Sequence, residues 1–288
     1  MAPGAGPLVG LVRACHPGPT LAVTTVTTLL ATTVGVGGGR LIVVAAAVLT
    51  GQLSVGWSND AYDALDDHRA GRSDKPVVAG QVTARMLWVG ATVALAASAV
   101  LSVAGLGTLA GSLHLVAVGL AWAYNLGVAR TRWSFVPYVT AFGLLPTVVA
   151  AAGTPPSAPA PWAVVGFAAM GLGAHLINGI RDLEVDRSVG LDGVAIRLGA
   201  GRGRVLAALA FLVAGGAVGA GLREARPLLA LAVPVAGLVL LLPAMWFASP
   251  RTAFRAVLVA AVMLVVVIVL VSLAGEVSIA VGPPRTGA

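Results

Sequence analysis

Charge is what this chain has least of. Only 10% of its 288 residues are Asp, Glu, Lys or Arg, and a single lysine, Lys75, stands among 18 basic residues. Soluble domains carry roughly a quarter charged residues. With 58% hydrophobic residues and a mean hydropathy of +0.95, the composition excludes a soluble globular protein. The one cysteine, Cys15, excludes an internal disulfide and lacks companions for a thiolate metal site, so it reads as a small packing residue. The first twenty residues have Gly and Pro where a secretory signal needs an unbroken apolar core, so no cleaved leader is expected. The formal charge of +7 accompanies the Ala, Val and Gly usage of a GC-rich bacterial genome. It does not point to nucleic acid as a partner.

What the chain has instead is a succession of apolar runs. Windows of roughly 17–22 apolar residues read as spanning helices, and nine are found, near 20–36, 41–58, 86–104, 106–126, 134–152, 161–178, 205–221, 227–247 and 254–274. An integral membrane protein, in a bacterial inner membrane, is expected. With nine spans, only Arg40, Arg223, Arg226 and Arg285 lie opposite the N-terminal side, leaving fourteen of the 18 basic residues on that side. The positive-inside rule then places the N-terminus in the cytoplasm and the C-terminus outside. Nine of the 11 acids share the cytoplasmic side, all but Glu224 and Glu276. That rule gives acids no reason to collect there.

Many of those acids belong to a repeated constellation. Asn59, Asp63 and Asp67 in "NDAYDALDD" recur at identical spacing as Asn178, Asp182 and Asp186 in "NGIRDLEVD", each set closing a spanning segment. Steps of four put three side chains along one stripe of a helix, and Gly71 and Gly190 each follow the last Asp by four residues. Carboxylates about 4 Å apart repel by about 1 kcal/mol in water and about 4 kcal/mol at an effective dielectric of 20. Four converging beside lipid therefore need cations. An oxygen-only set of carboxylates and amide carbonyls suits Mg²⁺, which commonly shares its shell with substrate phosphates. The constellation thus reads as a site for a metal–diphosphate complex whose apolar remainder enters the membrane.

Basic side chains able to hold phosphate oxygens lie in the same loops. They are Arg72 and Lys75 in "GRSDKPV", Arg130 and Arg132 in "YNLGVARTRW", and Arg181 inside the second motif. Arg85, Arg202, Arg204, Arg251 and Arg255 read as orientation charges. Tyr124 could orient phosphate or cap a cation, or be an interfacial aromatic. His175, three residues before Asn178, is an acceptor-side contact or base, or a packing residue. His114 is expected only to reach the outer interface, and Arg13 and His16 could border the cavity.

The two Asn–Asp–Asp motifs, the "DKPVVAG" after the first, the tyrosine-to-basic stretch after the fourth span and the "RLG" after the second motif resemble the UbiA superfamily of intramembrane prenyltransferases over nearly the whole chain. The resemblance implies an all-α polytopic membrane protein. Its single domain over 1–288 would place nine transmembrane helices around a central cavity with a cytoplasmic aspartate-rich cap. Two pseudo-repeats, about 20–126 and 134–247, would precede the last helix at about 254–274. It also implies Mg²⁺-dependent ionisation of an allylic prenyl diphosphate and transfer to an acceptor, often aromatic. Asn59, Asp63, Asp67, Asn178, Asp182 and Asp186 match the family's metal positions, Asp63, Asp67, Asp182 and Asp186 being catalytic, and Asp60, which fits the usual opening "ND", is counted with the metal-binding set. Arg72, Lys75, Tyr124, Arg130 and Arg181 are the candidate diphosphate-binding residues, and His175 is the acceptor-side candidate. Ala129 stands where many relatives have a second basic residue, and Lys75 replaces a more usual arginine with weaker bidentate grip.

Rival readings are separable. A phosphoalcohol transferase signature begins like "DGVAIR" at 192–197, but Ile196 replaces its alanine and no aspartate follows Asp192. A transporter would place acids near mid-membrane, whereas these end helices. A cyclase of the same superfamily, working without an acceptor, stays open, because its metal and diphosphate chemistry would look alike.

Overall fold

The computed structural model describes residues 6–188 and 190–281. Arg285 and the tail after 281 lie outside them. Each expected span coincides with a helix. A short α1 (Pro7–Ala14) turns at Cys15 and His16 into α2 (Pro17–Thr32). α3 (Gly38–Tyr62) runs back and is prolonged past Asp63 by α4 (Ala64–Arg69). α5 (Ala84–Leu106) and α6 (Thr108–Asn125) form a hairpin, and a 3₁₀ turn (Val128–Arg130) leads to α7 (Phe135–Ala152). α8 (Pro161–Ser188), α9 (Val194–Leu222), α10 (Pro227–Phe247) and α11 (Pro250–Leu273) complete the bundle. Among the described residues the fold is all-α apart from one antiparallel pairing of two-residue strands, β1 (Ala158–Pro159) with β2 (Ala280–Val281).

Local chemistry sets the ends. α1, α2, α10 and α11 open with proline in the first turn, where its missing N–H costs nothing and its fixed φ suits the helix. Thr83 caps α5 by accepting from the Met86 N–H at 3.2 Å, and Ser249 caps α11 by accepting from Thr252 at the same distance. Helices overshoot the apolar windows where polar residues continue them. α9 begins at Val194, not near 205, and carries a break at Gly199. α1 was not expected from its sequence.

Among the described residues, seven helices are long and apolar enough to cross a membrane: α3, α5, α7, α8, α9, α10 and α11. α2 has only 16 residues, and α6 carries His114, Tyr124 and Asn125 in its 18. The outward faces are greasy, with Phe247 89% and Leu228 85% exposed, as a chain solvated by lipid requires. The interior is lined by small residues, among them Ala47, Gly51, Ser54 and Ser58 of α3, which let backbones approach closely. Polar side chains then cross-link helices. Ser98 donates to the Ala47 carbonyl at 2.9 Å, Trp122 to Ser54 at 3.1 Å, and Asn125 to the Val55 carbonyl at 2.8 Å and Ser58 at 2.9 Å. His114 belongs to this interior. It is 3% exposed and bonded through Nδ1 to Ser102 at 2.8 Å, because Gly51 leaves room for its ring and Gly111 lets the Ser102 backbone come close. The expectation that it reaches the interface is therefore corrected.

The end of the bundle away from the aspartate motifs is closed by the β1–β2 pair, by the Arg226–Glu276 ion pair at 2.6 Å and by Arg40 donating to Thr154 at 2.6 Å. At the motif end, the α1–α2 junction sits directly on α3. A Cβ at Gly56 would lie 2.5 Å from the Cys15 carbonyl oxygen, so only glycine admits this contact. Gly56→Val is expected to cost about 1–3 kcal/mol through overpacking. Gly119→Val, at a glycine with open space around it, is the control with little change. Thermal denaturation in detergent compares the two.

Candidate active site

Both motifs are helical stripes that end in the same way. α3 hands over to α4 without losing the helical path, since the Asp63 N–H donates to Asn59 at 3.0 Å and the Asp67 N–H to Asp63 at 2.8 Å. The second motif occupies the last turns of α8. After each, the chain is turned by a left-handed glycine, Gly71 at φ +63° and Gly190 at φ +74°. In both, the residue after the glycine donates to the carbonyl of the last motif aspartate, Arg72 to Asp67 and Leu191 to Asp186, each at 3.0 Å. This is the Schellman closure that glycine makes cheap.

The stripes meet through cations. Arg72 reaches Asp67 of the first motif at 3.5 Å and Asp182 of the second at 3.7 Å, with Asp74 at 3.8 Å. Arg130 pairs with Asp63 at 3.0 Å and Asp66 at 2.8 Å, its guanidinium lying 5.1 Å from the centre of the Tyr62 ring. Arg181 folds onto its neighbour Asp182 at 2.6 Å and over the Phe254 ring at 4.9 Å. Lys75 binds Asp60 at 2.6 Å and approaches Asp67 at 3.9 Å. Thus Arg72, Lys75, Arg130 and Arg181 all stand at the carboxylates. Asp60 points off the stripe. It is 1% exposed and clasped by Lys75 and by His16 at 2.8 Å.

Tyr124 has a different setting from the one anticipated. The tyrosine carrying a cation is Tyr62, while the Tyr124 ring meets Tyr138 at 5.1 Å and His175 at 5.7 Å. His175 is 3% exposed, 4.9 Å from the Tyr138 ring and bonded through Nε2 to Ser134 at 3.2 Å. Asp66, Asn125, Ser134 and Tyr138 were not singled out in the sequence. Their one signal is spacing: Ser134 and Tyr138 are four apart and so share a helix face.

Residues from five segments enclose a polar cleft of about 250 Å³ at this end, including Arg13, His16, Lys75, Arg181, Arg251 and Arg255. Arg251, read as an orientation charge, reaches Asp74 at 3.3 Å. Among the described residues no three His, Cys, Asp or Glu side chains are gathered into a metal shell, because guanidinium and ammonium groups stand between the carboxylates. The donor set nevertheless fits a hard divalent cation. One Asp67 oxygen is buried without any hydrogen-bond partner. Burial pushes the Asp63 and Asp67 carboxyls above the usual carboxylate range, against the pull of Lys75 on both, Arg130 on Asp63 and Arg72 on Asp67. Positive charge is still in deficit there, and Mg²⁺ needs few protein ligands when phosphate and water fill its shell.

Breaking one side of a buried pair strands the other charge, at about 3–5 kcal/mol. Lys75→Met is expected to lower the melting temperature by a loss approaching that size, since only His16 would then face Asp60. Lys75→Met/Asp60→Asn should recover most of it. No recovery would show that Lys75 acts through something other than this pair.

Known proteins share this architecture. A UbiA homolog from Archaeoglobus fulgidus bound to GPP and Mg²⁺ superposes with a TM-score of 0.73 at 13% identity, over 92% of this chain and 98% of that one. The apo structure of a UbiA homolog from Aeropyrum pernix K1 gives 0.70 at 23% identity, over 91% and 99%. A digeranylgeranylglyceryl phosphate synthase gives 0.62 at 14%, over 94% and 98%. No curated protein sequence matches significantly. The model of the UbiA prenyltransferase family matches residues 20–256, most of the chain, and with the bundle and its paired aspartate motifs this establishes that the chain belongs to the UbiA prenyltransferase family.

Proposed function

We propose that this enzyme ionises an allylic prenyl diphosphate with Mg²⁺ and transfers the prenyl group to an acceptor, often aromatic, inside the membrane. The observation that carries the reading is Arg72 spanning Asp67 and Asp182, which brings motifs 119 residues apart to one point beside lipid. The relatives bound to GPP or DMAPP with Mg²⁺ support the substrate and metal classes.

Asn59, Asp63, Asp67, Asn178, Asp182 and Asp186 would hold the metal. Asp186 makes no side-chain hydrogen bond with any described residue, and one Asp67 oxygen is unpartnered. Asp60 serves instead to hold Lys75 in place. When bound, Mg²⁺ supplies neutralisation of the diphosphate oxygens as negative charge develops. Arg72, Arg130 and Arg181 would bind the same oxygens by exchanging carboxylate partners for phosphate ones, and Lys75, still held by Asp60, would add its charge beside them, stabilising the leaving group. The Ala-, Val- and Gly-rich interior excludes water that would quench the allylic cation. The acceptor then forms the new bond to carbon and loses a proton.

The topology follows the same logic. Nine spans, including the shorter α2 and α6, place the motifs in the cytoplasm and the β1–β2 end outside, in line with the distribution of basic residues. The matched glycine closures at Gly71 and Gly190 support descent of the single domain from two related halves.

Asp67→Ala or Asp182→Ala is expected to reduce turnover of an allylic diphosphate to below a few per cent while leaving a folded, inserted protein, and EDTA should mimic both. Greater surviving activity would remove the shared metal site. Arg130→Ala is expected to raise the donor KM at least tenfold and leave the acceptor KM within about twofold. Supplied with C10, C15 or C20 diphosphate and Mg²⁺ but no acceptor, the enzyme should only hydrolyse slowly. Multiple-turnover hydrocarbon formation in those tubes would make it a cyclase.

A further inference from the structure

Cations outnumber acids around the polar cleft at the motif end. Three carboxylates, Asp60, Asp74 and Asp182, line it together with six Lys and Arg side chains. Lys75 is committed to Asp60, and Asp182 has a guanidinium on each oxygen, Arg72 at 3.7 Å and Arg181 at 2.6 Å. Asp74 is shared between Arg72 at 3.8 Å and Arg251 at 3.3 Å. That leaves Arg13 and Arg255. Arg13 donates to the Gln81 amide oxygen at 3.2 Å and to the Asp74 carbonyl at 3.0 Å, neutral partners that hold the guanidinium in place without cancelling its charge. Arg255 stands one turn after Arg251 on the same face of α11, and no carboxylate of the described residues lies within ion-pair distance of it. The positive-inside rule accounts for the side of the membrane on which these arginines lie. It gives no reason for three of them, from both ends of the chain, to meet around one cavity.

The cleft is not the place of the metal. Of Asp63, Asp67, Asp182 and Asp186 only Asp182 lines it, with both oxygens already covered, and Arg130 does not line it at all. Its surroundings are lipid-facing instead. The helices that bring the surplus arginines, together with α2, carry exposed apolar side chains: Leu8 and Val12 on α1, Leu21 on α2 and Val259 on α11. α2 and α11 meet one turn further on, where a Cβ at Gly18 would lie 3.3 Å from the Leu258 side chain. A ligand that suits both the charge and this setting has an anionic head and an apolar remainder.

We infer that Arg13, Arg251 and Arg255 form a phosphate-binding site, separate from the metal–diphosphate site, whose ligand is the headgroup of an anionic phospholipid. Guanidinium forks match phosphate oxygens, and the acyl chains lie along the exposed apolar side chains of α1, α2 and α11. Bound there, the headgroup bridges the first helix to the last beside the aspartate motifs. The site is independent of the transferase reading, since it needs neither metal nor turnover.

The test is the Kd for dioleoylphosphatidylcholine divided by that for dioleoylphosphatidylglycerol, read by native mass spectrometry on the purified full-length protein in EDTA. The two lipids share chains and phosphate, so partition into detergent cancels and net headgroup charge remains. A basic residue near a membrane surface strengthens attraction to anionic lipid by up to about fivefold, so wild type should give a ratio of about ten and Arg251→Gln/Arg255→Gln a ratio within about twofold of unity. Arg255→Gln alone, which breaks no ion pair, should lower the ratio about threefold, and decides the matter if the double variant cannot be purified. Arg85→Gln/Arg202→Gln removes the same charge from exposed arginines outside the cleft and should leave the ratio within about twofold of wild type. An equal loss there would overturn the inference in favour of general surface charge. An equal loss in Arg130→Ala would put the lipid at the aspartate motifs and overturn it too. A second arm titrates inorganic phosphate by calorimetry. Binding that Arg251→Gln/Arg255→Gln abolishes, with no lipid preference, would keep the phosphate site and make free phosphate its ligand; neither lipid preference nor phosphate binding in wild type would overturn it. Failure of the EDTA-sensitive ionisation would leave these ratios unchanged.

Discussion

Everything at the working end of this protein depends on holding like charges together at the edge of a low-dielectric medium. Asp63, Asp67, Asp182 and Asp186 lie on two helix ends that would repel one another strongly in a dry interior. Arg72, inserted between Asp67 and Asp182, turns that repulsion into a clamp between the two motifs. Arg130 holds Asp63 and Asp66 together within the first motif. Because Arg72, Arg130 and Lys75 each serve more than one carboxylate, the cluster acts as a network rather than as a sum of exposed pairs.

The arrangement that stabilises the protein is also the one a diphosphate complex would re-sort. Guanidinium groups match carboxylate and phosphate oxygens with the same fork, so a ligand bringing phosphates and a metal would replace pairs without leaving charges stranded. Asp60 stands outside that exchange. Buried and off the stripe, it anchors Lys75 and ties the His16 turn to α3, and the close contact of Gly56 with Cys15 makes that junction possible. The contrast between Asp60 and Asp63, three residues apart in one sequence motif, is a contrast between scaffold and site. It follows from the hundred-degree turn of each helical step.

Beneath the charges the bundle changes character. Tyr124, Tyr138 and His175 form an aromatic floor in which polar atoms are few, and Ser134 at the start of α7 links that floor to the start of α9. In a membrane protein, polar side chains in the interior are kept for a purpose, because the surrounding helices offer them almost no partners. The same reasoning separates His175 from His114, whose Nδ1 is satisfied by Ser102 and which has a packing role between α5 and α6.

Much of this was legible in the chain. Lipid supplies no hydrogen bonds, so long apolar runs have to be helices, and all nine runs fall on helices. The four-residue spacing of the Asn–Asp–Asp motifs is a helical stripe by geometry alone, and the glycines after them foretold the matching closures. Which residues meet across helices could not be read, because apolar windows carry no information on rotation or depth. Arg251 beside Asp74, Arg130 over Tyr62, Ser134 against His175 and the burial of His114 are all products of packing. The sequence by itself determined the membrane class, the helices and the two acidic stripes, since these follow from local periodicity and from hydrophobicity. Only the tertiary structure decided that Asp60 is clasped while Asp67 keeps a free oxygen, and that His175 faces two tyrosines, because a side chain's partners are set by the neighbouring helices it is turned towards.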